Sequence, residues 1–142
     1  MRLSLRGVGC LALAVLCGCG KRWNPDEQMA RQVLIIEQER IRAAALAESQ
    51  AVENVRRIKS DAIIKARPNI SERQLAEVVG YKYESLARTE RDGSVWEHRR
   101  YRLGDVVESM IGAYSREYEI CDKERVLFEV LVGGGVVREV DY

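Results

Sequence analysis

Proline, histidine and phenylalanine are nearly missing from this sequence: its 142 residues include two prolines, one histidine and one phenylalanine. With a single imidazole the chain lacks numbers of the commonest metal ligand and general base, so His-based metal sites and hydrolytic triads have little to be built from. Charge of one sign is lacking too. Lys and Arg number 23 against 22 Asp and Glu, which leaves no basic footprint for nucleic acid. No Ser/Gly-rich linker or low-complexity tract divides the chain. Cysteine is sparse and lopsided. Of four, Cys10, Cys17 and Cys19 fall at the start and Cys121 stands alone near the other end, so the body of the chain has no intramolecular disulfide to make. What is there is 46% hydrophobic and 32% charged, enough for one modest globular domain with appendages.

The amino-terminal residues have a pattern of their own. Arg2 and Arg6 precede or abut the apolar run "VGCLALAVL" at Val8–Leu16, and no acidic residue occurs before Asp26. A positive start followed by an apolar stretch too short to span a bilayer is the layout of a secretory signal. Its end, "LCGC" at Leu16–Cys19, resembles the lipobox of bacterial lipoproteins, with Leu16 three residues before the cut, Gly18 just before it and Cys19 after it. The resemblance implies that residues 1–18 are removed as a signal peptide, that diacylglycerol is attached to the Cys19 thiol, and that the new amino group is acylated. Cys17 competes for the role, but it follows the bulky Leu16, where export cleavage wants a small residue. An ordinary signal peptide and an uncleaved anchor helix are the other readings. Each buried methylene contributes about 0.8 kcal/mol, so several acyl chains hold a protein at a bilayer without a spanning helix. Gly20, not Asp, follows Cys19; among lipoproteins this favours the outer membrane, at its periplasmic face, over the inner membrane. These cysteines lie in or against the apolar run with no His beside them, which argues against a zinc or redox site.

Beyond the signal, Asn24 is placed to cap a helix, Pro25 suits its first position, and Asp26 and Glu27 meet the positive end of its dipole. No Pro or Gly interrupts the chain from there to Ala66. Met29, Val33, Ile36, Ile41, Ala44, Ala51, Val55, Ile58 and Ala62 recur at helical spacing, a stripe thinned to alanine in its middle. Pro68 stops this helix, because the residue before proline is pushed out of the helical region. The domains expected are therefore residues 1–18 as signal, 19–67 as lipidated terminus and long helix, and 68–142 as a small α+β domain able to fold without the helix.

Within 68–142, Ser71 and Gln74 form a capping-box pair, Leu75, Val78 and Val79 a buried face, and Gly80 a stop. Asp92–Gly93 signals a hairpin turn between two strands, the second carrying Val95, Trp96 and Tyr101. Helical spacing returns through Val106, Val107, Met110, Ile111 and Tyr114. "EYEIC" at Glu117–Cys121 reads as a strand turning at Asp122 and Lys123, and "VLFEVLVGGGVVREV" as a closing hairpin. The fold class expected is α+β, a long amino-terminal helix followed by short helices and an antiparallel sheet ending in a β-hairpin.

Few residues invite a chemical role. Gly133, Gly134 and Gly135 lack the following helix that a phosphate cradle needs, and read as a turn. His98, between Glu97 and Arg99, reads as a solvated surface residue, and Cys121 as a small strand residue. Tyr and Trp are different, since their rings suit surfaces half apolar and half wet. Trp96, Tyr101, Tyr81 and Tyr83 are the candidate interaction residues, with Trp96 first because Glu97, Arg99 and Arg100 make its strand too charged for full burial. No catalytic constellation, cofactor, metal or small-molecule substrate is indicated.

"SERQLAEVVG" at Ser71–Gly80, "WEH" at Trp96–His98 and "FEVLVGGGVV" at Phe128–Val137 together resemble the SmpA/OmlA, or BamE-like, family of small outer-membrane lipoproteins, over about the second half of the chain. No Pro follows Gly80 here, and the long helix has no counterpart in that compact fold. The resemblance implies a non-enzymatic scaffold or interaction module in outer-membrane protein assembly or envelope integrity, held at the membrane by its lipid and bound to an envelope protein. The alternative is a helix-driven envelope spacer, or a plasmid- or phage-linked lipoprotein acting through its coiled segment.

Overall fold

A computed structural model describes residues 22–142, so Cys10, Cys17, Gly18, Cys19 and the expected signal peptide lie outside the described residues. Helix α1 runs Pro25–Lys65. It starts where the sequence places it, with Asn24 Oδ1 accepting from the Asp26 amide at 3.2 Å. Two compact units divide the chain, Met1–Arg42 and Ala43–Tyr142, so the helix contributes to both. In the first unit its large apolar side chains, among them Met29, Val33, Leu34, Ile35 and Ile36, are exposed.

The second unit begins 25 positions before the boundary expected at residue 68, counting from Ala43. The reason is the alanine stripe. Ala62 and Ala66 are fully buried in the main core, Val55 and Ile58 pack against it, and Ala51 is buried as well. Pro68 thus marks the end of a helix and not the edge of the core.

Helix α2, Glu72–Val79, carries the capping box: Ser71 Oγ accepts from the Gln74 amide, and Gln74 Oε1 accepts from the Ser71 amide. Gly80 closes it at φ +77°, and a Cβ there would meet the Ser109 side chain at 2.1 Å, so conformation and close packing both require glycine. Strands β1, Glu84–Arg91, and β2, Ser94–Arg102, flank the Asp92–Gly93 turn, both of whose residues have positive φ as this hairpin type demands. Helix α3 spans Leu103–Ile111 and α4 spans Arg116–Ile120. Strands β3, Val126–Gly133, and β4, Val136–Asp141, form the closing hairpin about Gly134 and Gly135. The sheet is antiparallel throughout, in the order β1-β2-β3-β4.

The strand expected at Glu117–Cys121 is therefore helix α4. Ser115 Oγ accepts from the Tyr118 amide at 3.3 Å, and Glu117 and Glu119 sit in the first turn. A capping serine and dipole-compatible acids decide a five-residue segment that no strand adjoins.

One face of the sheet carries Tyr101, Phe128, Val130, Val132 and Val137, which join Leu75, Val79, Val106 and Val107 of the helices in a single cluster. Tyr83, Tyr101, Phe128 and Tyr142 form a chain of ring contacts with centroids 5.7, 5.5 and 6.1 Å apart. The Tyr142 hydroxyl donates to the carbonyls of Ile63 and Ala66, tying the last strand to the end of α1. The other face is polar. There Trp96 lies flat over Gly133, where a Cβ would sit 2.6 Å from the indole, and His98 and Arg100 both reach the Glu129 carboxylate, at 3.0 and 2.7 Å.

Candidate functional site

Strand alternation sends Glu97, Arg99 and Tyr101 of β2 to the helix-covered side of the sheet. Two of these are charged, and both are buried, Glu97 at 6% and Arg99 at 7% exposure. The strand is half-buried, as its charge suggests, but two of the charged residues expected to keep it in solvent, Glu97 and Arg99, lie on its covered side. Burial is tolerated because each charge is met. Arg99 Nε donates to Glu97 Oε2 and Arg99 Nη2 to Glu72 Oε1, both at 2.6 Å, so one guanidinium bridges β2 and α2. Glu97 also accepts from Ser85 Oγ at 2.7 Å and from the Tyr83 hydroxyl at 3.2 Å. The Arg99 guanidinium lies 4.3 Å from the centre of the Tyr83 ring.

The electrostatics follow from this packing. Burial pushes the Glu97 carboxyl up, yet hydrogen bonds from Ser85, Arg99 and Tyr83 together outweigh it and hold the carboxyl below its ordinary range. For Arg99 burial likewise opposes the charge, and the bonds to Glu72 and Glu97 more than reverse that. Burial pushes the Tyr101 phenol up to about 12.

Above this cluster opens a cavity of about 530 Å³ between α2, the segment that follows it and strand β2. Tyr101, 1% exposed, and Arg99 form its floor; Tyr83 forms a wall; Tyr81, 82% exposed, stands at the rim with Arg73. Three of the four candidate interaction residues, Tyr81, Tyr83 and Tyr101, thus converge, with Tyr101 a core residue and not a surface anchor. Trp96 does not join them. It sits half-buried on the opposite face, between the guanidinium groups of Arg91 and Arg138 at 5.8 and 5.6 Å. Glu72, Glu97 and Arg99 are the members that sequence reasoning missed. The one available signal was the alternation Glu97, Arg99, Tyr101, which puts two charges in step with a core aromatic.

The remaining candidates lie apart. His98 is on the open face against Glu129. Cys121 is buried at the end of α4, its thiol donating to the Tyr118 carbonyl at 3.2 Å and its pKa raised by burial. Among the described residues no group of three or more His, Cys, Asp or Glu is arranged to hold a metal ion, and no helix is long and apolar enough to cross a membrane. Chemically the cleft offers aromatic faces, a buried guanidinium and a second, exposed one at Arg73 beside Glu77, which are the groups that dominate protein recognition surfaces. Compared with protein-family models, curated proteins and solved structures, the chain matches none.

Proposed function

We propose that this protein is a membrane-anchored lipoprotein of the cell envelope, acylated at Cys19, that binds an envelope protein partner through the cleft between α2, the segment that follows it and strand β2. The observation that carries the binding role is the pre-ordered Glu72–Arg99–Glu97 cluster beneath Tyr81 and Tyr83. A cleft whose floor is already fixed loses little conformational freedom when a partner docks. The "LCGC" run at Leu16–Cys19 supports the lipid anchor, and the SmpA/OmlA resemblance supports a partner in outer-membrane protein assembly or envelope integrity.

A second reading rests on a different observation. Met29, Val33, Leu34, Ile35 and Ile36 leave the first unit of α1 with exposed apolar side chains, which favours a helix-driven envelope spacer acting through that segment.

One set of variants separates the two. Fatty-acid labelling should be lost in Cys19→Ala and kept in Cys17→Ala; the reverse moves the anchor to Cys17. Tyr81→Ala removes an exposed side chain and should melt like the parent, yet weaken partner capture from membranes by about 30-fold, the effect of losing an aromatic anchor worth about 2 kcal/mol. Undiminished capture by Tyr81→Ala, with loss of capture in Val33→Ser/Ile36→Ser, overturns the cleft in favour of the helix.

A further inference from the structure

The two edges of the sheet are treated differently. Along β4 the outer edge is covered by the chain entering α2: the Asn69 amide donates to the Val137 carbonyl at 2.8 Å, the Val137 amide to the Ile70 carbonyl at 2.9 Å, and the Glu72 amide to the Gly135 carbonyl at 2.8 Å. Along β1 nothing among the described residues plays that part, and the strand is exposed over nearly its whole length. An eight-residue edge with free backbone donors and acceptors is a template for a further strand.

The geometry specifies which backbone groups are free. The Gly134 amide donates to the Val95 carbonyl, so Val95 turns its backbone toward β3 and its neighbours Ser94 and Trp96 turn theirs toward β1. Their partners there, Arg91 and Thr89, are thereby used. The residues in between, Arg88 and Glu90, direct their N–H and C=O groups outward.

We infer that β1 pairs with β1 of a second copy of this chain, antiparallel, about a two-fold axis at Thr89, giving a continuous sheet through both copies. The register follows from charge. With Thr89 opposite Thr89, Arg88 of each copy lies opposite Glu90 of the other, and these are also the outward-facing, hydrogen-bonded pairs. Centring the axis on Arg88 or on Glu90 sets like charges against each other. Centring it on Ala87 opposes Glu84 to Glu90 and places the bulge between Ser85 and Ala87 at the middle of the ladder. Among these neighbouring two-fold registers, only the Thr89 axis places Arg88 and Glu90 opposite one another, and a symmetric dimer makes the favourable pair twice.

The test uses the full chain in detergent. Sedimentation should show a concentration-dependent dimer, and Arg88→Glu or Glu90→Arg alone should weaken it about tenfold, because two attractive cross-strand pairs become two repulsive ones. The double variant Arg88→Glu/Glu90→Arg should restore it, which also shows that the strand still folds. Thr89→Cys should give a disulfide-linked dimer on mild oxidation, since residues facing each other in a non-hydrogen-bonded pair lie about 4.5 Å apart at Cα. The parent chain oxidised in parallel sets the background from its own cysteines. A monomer at all concentrations, a dimer indifferent to the single reversals, or no crosslink at Thr89 above background each overturns the inference, the second by placing the contact on another surface.

Discussion

Replacing Arg99 with Met keeps an apolar stem of similar length and removes the guanidinium that joins β2 to α2. Glu97, 6% exposed, then retains only the Ser85 and Tyr83 hydrogen bonds, while Glu72, whose side chain is 46% exposed, returns to water. Breaking one side of a buried pair leaves an uncompensated charge and costs about 3–5 kcal/mol. A loss near the lower end, about 3 kcal/mol, is expected because two hydrogen bonds remain, and it corresponds to about 15 °C in Tm for a unit of about 100 residues. The pH dependence carries the sharper content. In the parent the Glu97 pKa is lowered by folding, so its contribution is present above the unfolded carboxyl pKa of about 4.3 and is lost as pH falls through the folded value. Arg99→Met removes a hydrogen bond and a charge that lower that pKa, so the variant has less of this stabilisation above the unfolded pKa and less to lose as pH falls. The deficit of the variant should therefore be largest near pH 7 and shrink toward about pH 4, as read from urea midpoints at both values. Adding Glu97→Leu should recover most of the loss, since a buried ion pair replaced by apolar groups is often neutral. A deficit below about 1 kcal/mol at neutral pH, or one equal at both pH values, refutes the account of the cluster as a mutually dependent pair.

A chain beginning at Ala43 should melt cooperatively, whereas one beginning at Arg67 loses Ala62 and Ala66 from the core together with the carbonyls that accept from Tyr142; an unchanged Tm for the shorter chain would show that α1 is dispensable. Gly133→Ala places a methyl against the Trp96 indole and should cost about 1–3 kcal/mol by overpacking, a penalty that Trp96→Ala added to it should relieve in chemical denaturation. Ser71→Ala should cost about 1 kcal/mol through loss of the α2 cap, and a denaturation midpoint equal to that of the parent would count against the capping box as a stabilising device.

The elements legible in the sequence are those fixed by chemistry within a few residues. Asn24–Pro25, Ser71 with Gln74, Gly80, Asp92–Gly93 and the glycines at 134 and 135 each specify a local backbone geometry that needs no distant partner, and with the uninterrupted helical spacing from Met29 to Ala62 they give the α+β class with its long helix and closing hairpin. Segments whose state depends on neighbours are where reading failed. Glu117–Ile120 has strand-like residues but no strand beside it, so its capping serine decides for helix. The alanines at 51, 62 and 66 look like a weak stripe, yet small side chains allow the close approach that buries them. The buried charges were the least legible. A sequence shows that Glu97 and Arg99 are charged, and charge by itself argues for solvent. Only the folded chain brings Glu72 from a helix, Ser85 from β1 and Tyr83 from the segment before β1 within hydrogen-bond reach of them. Desolvation of a charge is tolerable when its partners are fixed in place, and the positions of those partners are set by tertiary packing alone.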